Sequence, residues 1–215
     1  MTSAPRPVTA ERLVDELAGI VDRAADGCGH VLRAAVDGHP AAHPEALADA
    51  LVDPLRLLGR PVLRVGSGWF LRPASVRLER GRTDPDAFYD DRLNSAALRR
   101  EVLDPLGPGG SGRYLPTLWD PRTDRATRAG YATAPERAVL VLDGTLLLGA
   151  GLPLDLVIHL RLSAGARERR AAADERWALP AYERYDDEVD PAAVADVVVR
   201  VDDPRHPALS TAAGS

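Results

Sequence analysis

The feature that most constrains this chain is an apolar run, Val31 to Val36, that stops at Asp37-Gly38 and is followed after a short loop by Leu47, Leu51, Leu55 and Leu58 at helical spacing. Strand, tight loop and helix in immediate succession form the layout of a phosphate-binding loop. Against the template of glycine, four residues, glycine, lysine and serine or threonine, the segment runs from Gly38 to Glu45. Gly38 holds the first glycine position, while His43, Pro44 and Glu45 stand in the three positions that close the template.

Each replacement removes a separate property of such a loop. The second glycine lets the backbone pass close to a phosphate, and the Cβ of His43 obstructs that approach. Lysine brings positive charge to the β- and γ-phosphates, whereas Pro44 has neither a charge nor an N–H to donate. The template hydroxyl ligates magnesium, and Glu45 puts a negative charge where a triphosphate would lie. No lysine elsewhere can substitute, because all 27 Lys and Arg residues of the chain are arginine. Proline at the first helical position and glutamate in the first turn also suit an ordinary helix N-terminus.

With 215 residues, 45% of them hydrophobic, the chain can bury one sizeable core. One domain is expected over 9–207, between loose ends at 1–8 and 208–215. A formal net charge of −5 argues against a nucleic-acid partner. No apolar run approaches the roughly 18 residues of a membrane span, and Met1 to Ala10 lacks the apolar core of a signal peptide. A cytoplasmic protein is expected, in agreement with its single cysteine, Cys28. Cys28, His30, His39 and His43 match no zinc-ligand spacing.

Along the chain, Thr9 caps a helix carrying Leu13, Leu17, Ile20 and Val21, which Gly27 ends. Pro61 to Val65 reads as a second strand, leading into Gly66-Ser67-Gly68-Trp69-Phe70-Leu71-Arg72. The polar stretch 74–94 reads as a long loop, in which Phe88 and Tyr89 serve either a binding surface or the core. Asn94 or Ser95 caps a helix with Leu98, Val102 and Leu103, ended by Asp104-Pro105. A glycine-rich segment then delivers Arg113-Tyr114, a planar cation beside an aromatic ring. Ala138 to Leu142, closed by Asp143-Gly144, reads as a strand buried on both faces. Leu154 to Leu162 around His159 and Ala195 to Val201 repeat the pattern, with His159 a structural residue. Alternating strands and helices predict a parallel, doubly wound α/β sheet that binds ligands at the carboxyl ends of its strands. Gly38, Gly68 and Asp143 lie on that edge. Between the last two strands, 163–190 carries Arg167, Arg169 and Arg170 among acidic residues, as a solvated helix or a segment that closes over phosphates.

Three blocks together carry a resemblance: Val36-Asp37-Gly38 with Ala48-Asp49-Ala50-Leu51, Ala97 to Gly110 running on to Arg113-Tyr114, and Val139-Leu140-Val141-Leu142-Asp143-Gly144. From about Val31 to Pro207 the chain resembles the uridine kinase family of P-loop nucleoside kinases. The resemblance implies a three-layer α/β fold, a five-stranded parallel sheet between helices with a lid at about 163–190. It implies transfer of the γ-phosphoryl of ATP or GTP, with magnesium, to the 5′-hydroxyl of uridine or cytidine. By position, Asp37, Gly38, His43, Pro44 and Glu45 form a degenerate nucleotide loop, Asp143 matches the acidic magnesium-site residue, and Arg167, Arg169 and Arg170 match the lid. Arg113 and Tyr114, with Arg72, Phe88 and Tyr89, match the nucleoside-contacting region. The family's catalytic aspartate, in a setting like Asp-Asp-Phe, has no counterpart, because this chain reads Gly68-Trp69-Phe70 there. Loss of a general base costs about 10² to 10⁴ in rate.

The first expectation is therefore a uridine kinase-like homologue without effective catalysis, retained to bind a nucleoside or nucleotide or to regulate. An active kinase that holds phosphates through Arg72 and Arg167 to Arg170, with magnesium and ATP or GTP, is the alternative. A structural protein that pairs with itself or another protein, without a small-molecule ligand, is the third.

Overall fold

The run at Leu32–Gly38 is buried along its whole length because it becomes the middle of a sheet, with neighbours on both edges and cores on both faces. The computed structural model describes residues 3–212. In chain order its strands are β1 (Arg6–Pro7), β2 (Leu32–Gly38), β3 (Val62–Gly66), β4 (Arg113–Tyr114), β5 (Trp119–Asp120), β6 (Arg125–Ala126), β7 (Ala132–Thr133), β8 (Val139–Gly144), β9 (Leu156–Arg161), β10 (Val197–Arg200) and β11 (Ala208–Thr211). The main sheet has the order β1-β11-β10-β9-β2-β8-β3. Its pairings from β10 through β9, β2 and β8 to β3 are parallel, and β11 and β1 add antiparallel pairings.

The sheet thus has seven strands where five were expected. The five parallel strands are those whose apolar runs stand out in the sequence; the other two come from segments read as loose ends. Arg6–Pro7 and Ala208–Thr211 are short and carry little apolar signal, and they meet only because the fold brings the two ends of the chain together.

Side-chain alternation divides the core in two. Val139 and Val141 of β8 face one way, with Leu13, Leu17 and Val21 of the helix Ala10–Asp26 and Leu51 and Leu55 from the segment after the loop. Leu140 and Leu142 face the other way, against Leu98, Val102, Leu103 and Leu106. Helices therefore cover both faces, as buried parallel strands require. Thr9 Oγ1 accepts from the Arg12 N–H and Gly27 ends the first helix, where the sequence places its limits.

The helix after Asn94 extends further than expected. Asn94 Oδ1 accepts from the Ala97 N–H at 3.1 Å, and helical structure continues past Asp104-Pro105 to Leu106. Its middle, Arg99–Leu103, is a wide turn in which the Asp104 N–H reaches the Arg99 carbonyl five residues back. Such a turn relieves the clash of a proline ring with the preceding turn. The Glu101 carbonyl, which Pro105 cannot serve, instead accepts from the Leu115 N–H at 2.9 Å. Among the described residues, no helix is long and apolar enough to cross a membrane.

Candidate functional site

A cleft of about 620 Å³ opens at the carboxyl edge of the parallel strands. One part of its lining is His43, Pro44 and Glu45, with Asp143 at the end of β8; another is Gly68, Phe88, Tyr89 and Arg92. The loop residues and Gly68, distant in sequence, are brought together because β2 and β3 flank β8 in parallel and their following loops leave on the same side.

At the loop end the frame is kept. A Cβ on Gly38 would lie 2.9 Å from Leu160 Cβ, so the close crossing of β9 demands glycine. His43, in the second glycine position, is left-handed with φ 57° and ψ 55°, a conformation that glycine adopts freely and a histidine adopts under strain. Beneath the loop, Asp37 is completely buried and its carboxylate accepts from His159 Nδ1 at 2.8 Å, the Tyr185 hydroxyl at 3.0 Å and the Leu147 N–H at 3.0 Å. Burial and the adjacent Asp37 charge both push the Tyr185 hydroxyl upward in pKa.

The N–H donors of residues 41–43 point inward. Pro40 and Pro44 have no N–H; the Ala41 N–H goes to His39 Nδ1 at 3.0 Å, that of Ala42 to the His39 carbonyl at 2.8 Å, and that of His43 to the Pro40 carbonyl at 2.9 Å. The His39 ring packs against that of Tyr182, tilted by 55° with centroids 4.3 Å apart. Burial, then the charges of Arg167 and Arg170, hold its pKa down to about 4, which keeps the imidazole neutral and able to accept through Nδ1.

The arginines of 163–190 are also engaged. Arg167, on the helix Ala164–Arg170, is buried and paired with Asp186 on the helix Leu179–Val189. Arg170 donates to the Val201 and Ala41 carbonyls, tying its helix to the loop. Arg169 has no ion pair or side-chain hydrogen bond among the described residues. Asp143 accepts from Arg64 at 2.9 Å, and Arg64 also reaches Asp49 at 2.8 Å. Burial raises the Asp143 pKa, with Glu45 and Asp49 adding to the rise and Arg64 opposing it.

At the other end, Asp84 caps the helix Pro85–Asp90, its Oδ1 accepting from the Ala87 N–H at 2.7 Å, and this turn aims Phe88 and Tyr89 at the cleft. The Asp84-Pro85 pair is a legible helix start inside a segment read as loop. Arg72, by contrast, lies outside the lining and pairs with Asp91 at 3.1 Å. Arg113 is exposed over the Tyr131 ring at 5.6 Å, and Tyr114 packs in the core, so neither reaches the cleft. Arg92, not singled out in sequence, does line it.

Comparisons with solved structures fit this arrangement. A possible uridine kinase from Bacillus stearothermophilus superposes with a TM-score of 0.64 at 17% identity, over 85% of this chain and 98% of that one. The fold is one that kinases use. A fructose transport system kinase candidate from Silicibacter sp. TM1040 gives a TM-score of 0.58 at 21% identity, covering 83% and 90% of the two chains. The YGR205w protein gives 0.61 at 9% identity, covering 93% and 98%. No family model matches the sequence, and no curated protein matches it.

Proposed function

We propose that this chain is a uridine kinase-like protein without effective phosphoryl transfer, whose cleft is kept as a nucleoside- or nucleotide-binding site at the Phe88 and Tyr89 end. The observation that carries the reading is the inward closure of the loop. A phosphate cradle works by presenting free N–H groups and a cation to the anion. Between His39 and Pro44, two residues have no N–H and three spend theirs inside the loop.

The other departures act in the same direction. Glu45 adds a carboxylate at the cradle, and each missing charge-assisted phosphate contact removes roughly 1.5 to 3 kcal/mol. The donor set does not fit magnesium either, since the guanidinium of Arg64 already lies against Asp143. Gly68 supplies no base. Arg167 and Arg170 are spent on Asp186 and on backbone carbonyls, which weighs against an active kinase built on those arginines.

A phosphotransfer assay with uridine or cytidine and magnesium-ATP tests this. The unmodified chain is expected to show no turnover, and a variant carrying His43→Gly, Pro44→Lys, Glu45→Thr and Gly68→Asp is expected to acquire some. Turnover by the unmodified chain in the ordinary kinase range of about 1 to 100 s⁻¹ refutes the reading.

A further inference from the structure

Among the described residues Arg92 is the only arginine lining the cleft, and it makes no ion pair there. Its backbone is fixed: the carbonyl accepts from the Arg72 N–H at 3.0 Å, and the next residue, Leu93, bridges to Leu71. Its guanidinium carbon lies 4.6 Å from the centre of the Phe88 ring, which holds the side chain over the cleft wall. Among the described residues it makes no ion pair and no side-chain hydrogen bond. No buried side-chain nitrogen or oxygen is left without a partner among them, so the unbonded Arg92 nitrogens are reached by solvent, on a residue that lines the cleft. The adjacent acids point elsewhere: Asp91 pairs with Arg72 and Arg80, and Asp90 with Arg184. Burial pushes the Arg92 pKa down, with the charge of Arg77 adding to the fall and Tyr182 and Glu175 opposing it.

A half-buried cation without an ion partner gains when a counter-ion arrives, because its own hydration is incomplete and no existing pair has to be broken. A neutral nucleoside offers none. We propose that the ligand of this cleft carries an anionic group, a phosphate or a carboxylate, that docks on Arg92 while its ring packs against Phe88 and Tyr89. This rests on the reading of the cleft as a nucleoside or nucleotide site and narrows it to an anion-bearing ligand.

The test is calorimetric titration of the full chain with uridine, uridine 5′-monophosphate and uridine 5′-carboxylate, repeated on Arg92→Gln and Arg92→Lys. At least one anion is expected to bind about tenfold or more tighter than uridine, the gain of one charge-assisted contact. Arg92→Gln is expected to lose that preference, bringing the anions down to the affinity it shows for uridine, and Arg92→Lys to keep part of it. Which anion gains more identifies the group as phosphate or carboxylate. Equal binding of all three, or a preference that survives in Arg92→Gln, overturns the anion proposal and leaves the nucleoside site standing; no binding by any of them overturns both. Arg92→Met gives a readout without ligand. It is expected to melt at or above the unmodified chain, and a loss of several degrees would mark Arg92 as a structural residue and overturn the assignment.

Discussion

The two ends of the cleft solve opposite problems. At the loop end the N–H groups of Ala41, Ala42 and His43 donate within the loop, Arg170 ties it to the neighbouring helix, and Arg64 pairs with Asp143. At the Phe88 end, Arg92 has no ion partner among the described residues. A group that is satisfied internally gains little from a ligand, because binding must first break what it already has. A cation without an ion partner has no such pair to give up. The difference teaches that an anion has most to gain at Arg92, while the groups that close the loop are already engaged.

The sharpest way to break this contrast is to disturb the buried support of the loop. Asp37→Ala leaves His159, the Tyr185 hydroxyl and the Leu147 N–H without their acceptor. At about 1 to 3 kcal/mol for each unsatisfied group, the loss is roughly 3 kcal/mol or more. For a chain of this length that lowers the melting temperature by about 6 to 12 °C. Calorimetric melting checks this, and a loss under about 1 kcal/mol would mean the loop end is not held as described.

A smaller effect comes from His39. Its folded pKa of about 4 lies below the ordinary value of 6.5. Between those values the unfolded chain takes up a proton that the folded chain refuses. Stability from this group is therefore full above pH 6.5 and declines as pH falls towards 4, by an amount on the order of 3 kcal/mol at most. His39→Asn keeps a side-chain acceptor for the Ala41 N–H and removes the titration. Unfolding in denaturant from pH 7 to 4 should show the unmodified chain losing more stability than the variant; parallel curves would mean that His39 is not buried as a neutral acceptor.

The smallest effect is expected at His43. Its left-handed backbone is strained for a residue with a Cβ, so His43→Gly is expected to stabilise by up to about 1 kcal/mol, raising the melting temperature by roughly 2 to 4 °C. A destabilised variant would show that the histidine side chain contributes more than its strain costs.

Much of this was legible in sequence. The five parallel strands are apolar runs with turn residues after them, and the Gly38 and Asp143 ends fall on one edge because parallel strands share a direction. The two added strands were hidden because Arg6–Pro7 and Ala208–Thr211 have too few residues to show a period, and their mutual pairing depends on contacts across almost the whole chain. In the site, sequence located the missing lysine, hydroxyl and aspartate but could not show where the loop's N–H groups point, since that depends on backbone angles such as those of His43. Arg92 was hidden for a different reason. Asp90 and Asp91 precede it and suggest neutralisation, yet both side chains turn to other arginines. Only the fold shows which charges are left over.

The central claim is most directly tested by titrating the purified protein calorimetrically with magnesium-ATP and, in parallel, with uridine and uridine 5′-monophosphate. No binding of magnesium-ATP at millimolar concentration is expected, together with binding at the uridine or monophosphate side. Binding of magnesium-ATP at micromolar strength would contradict it, for a loop closed on itself would then be holding a triphosphate after all.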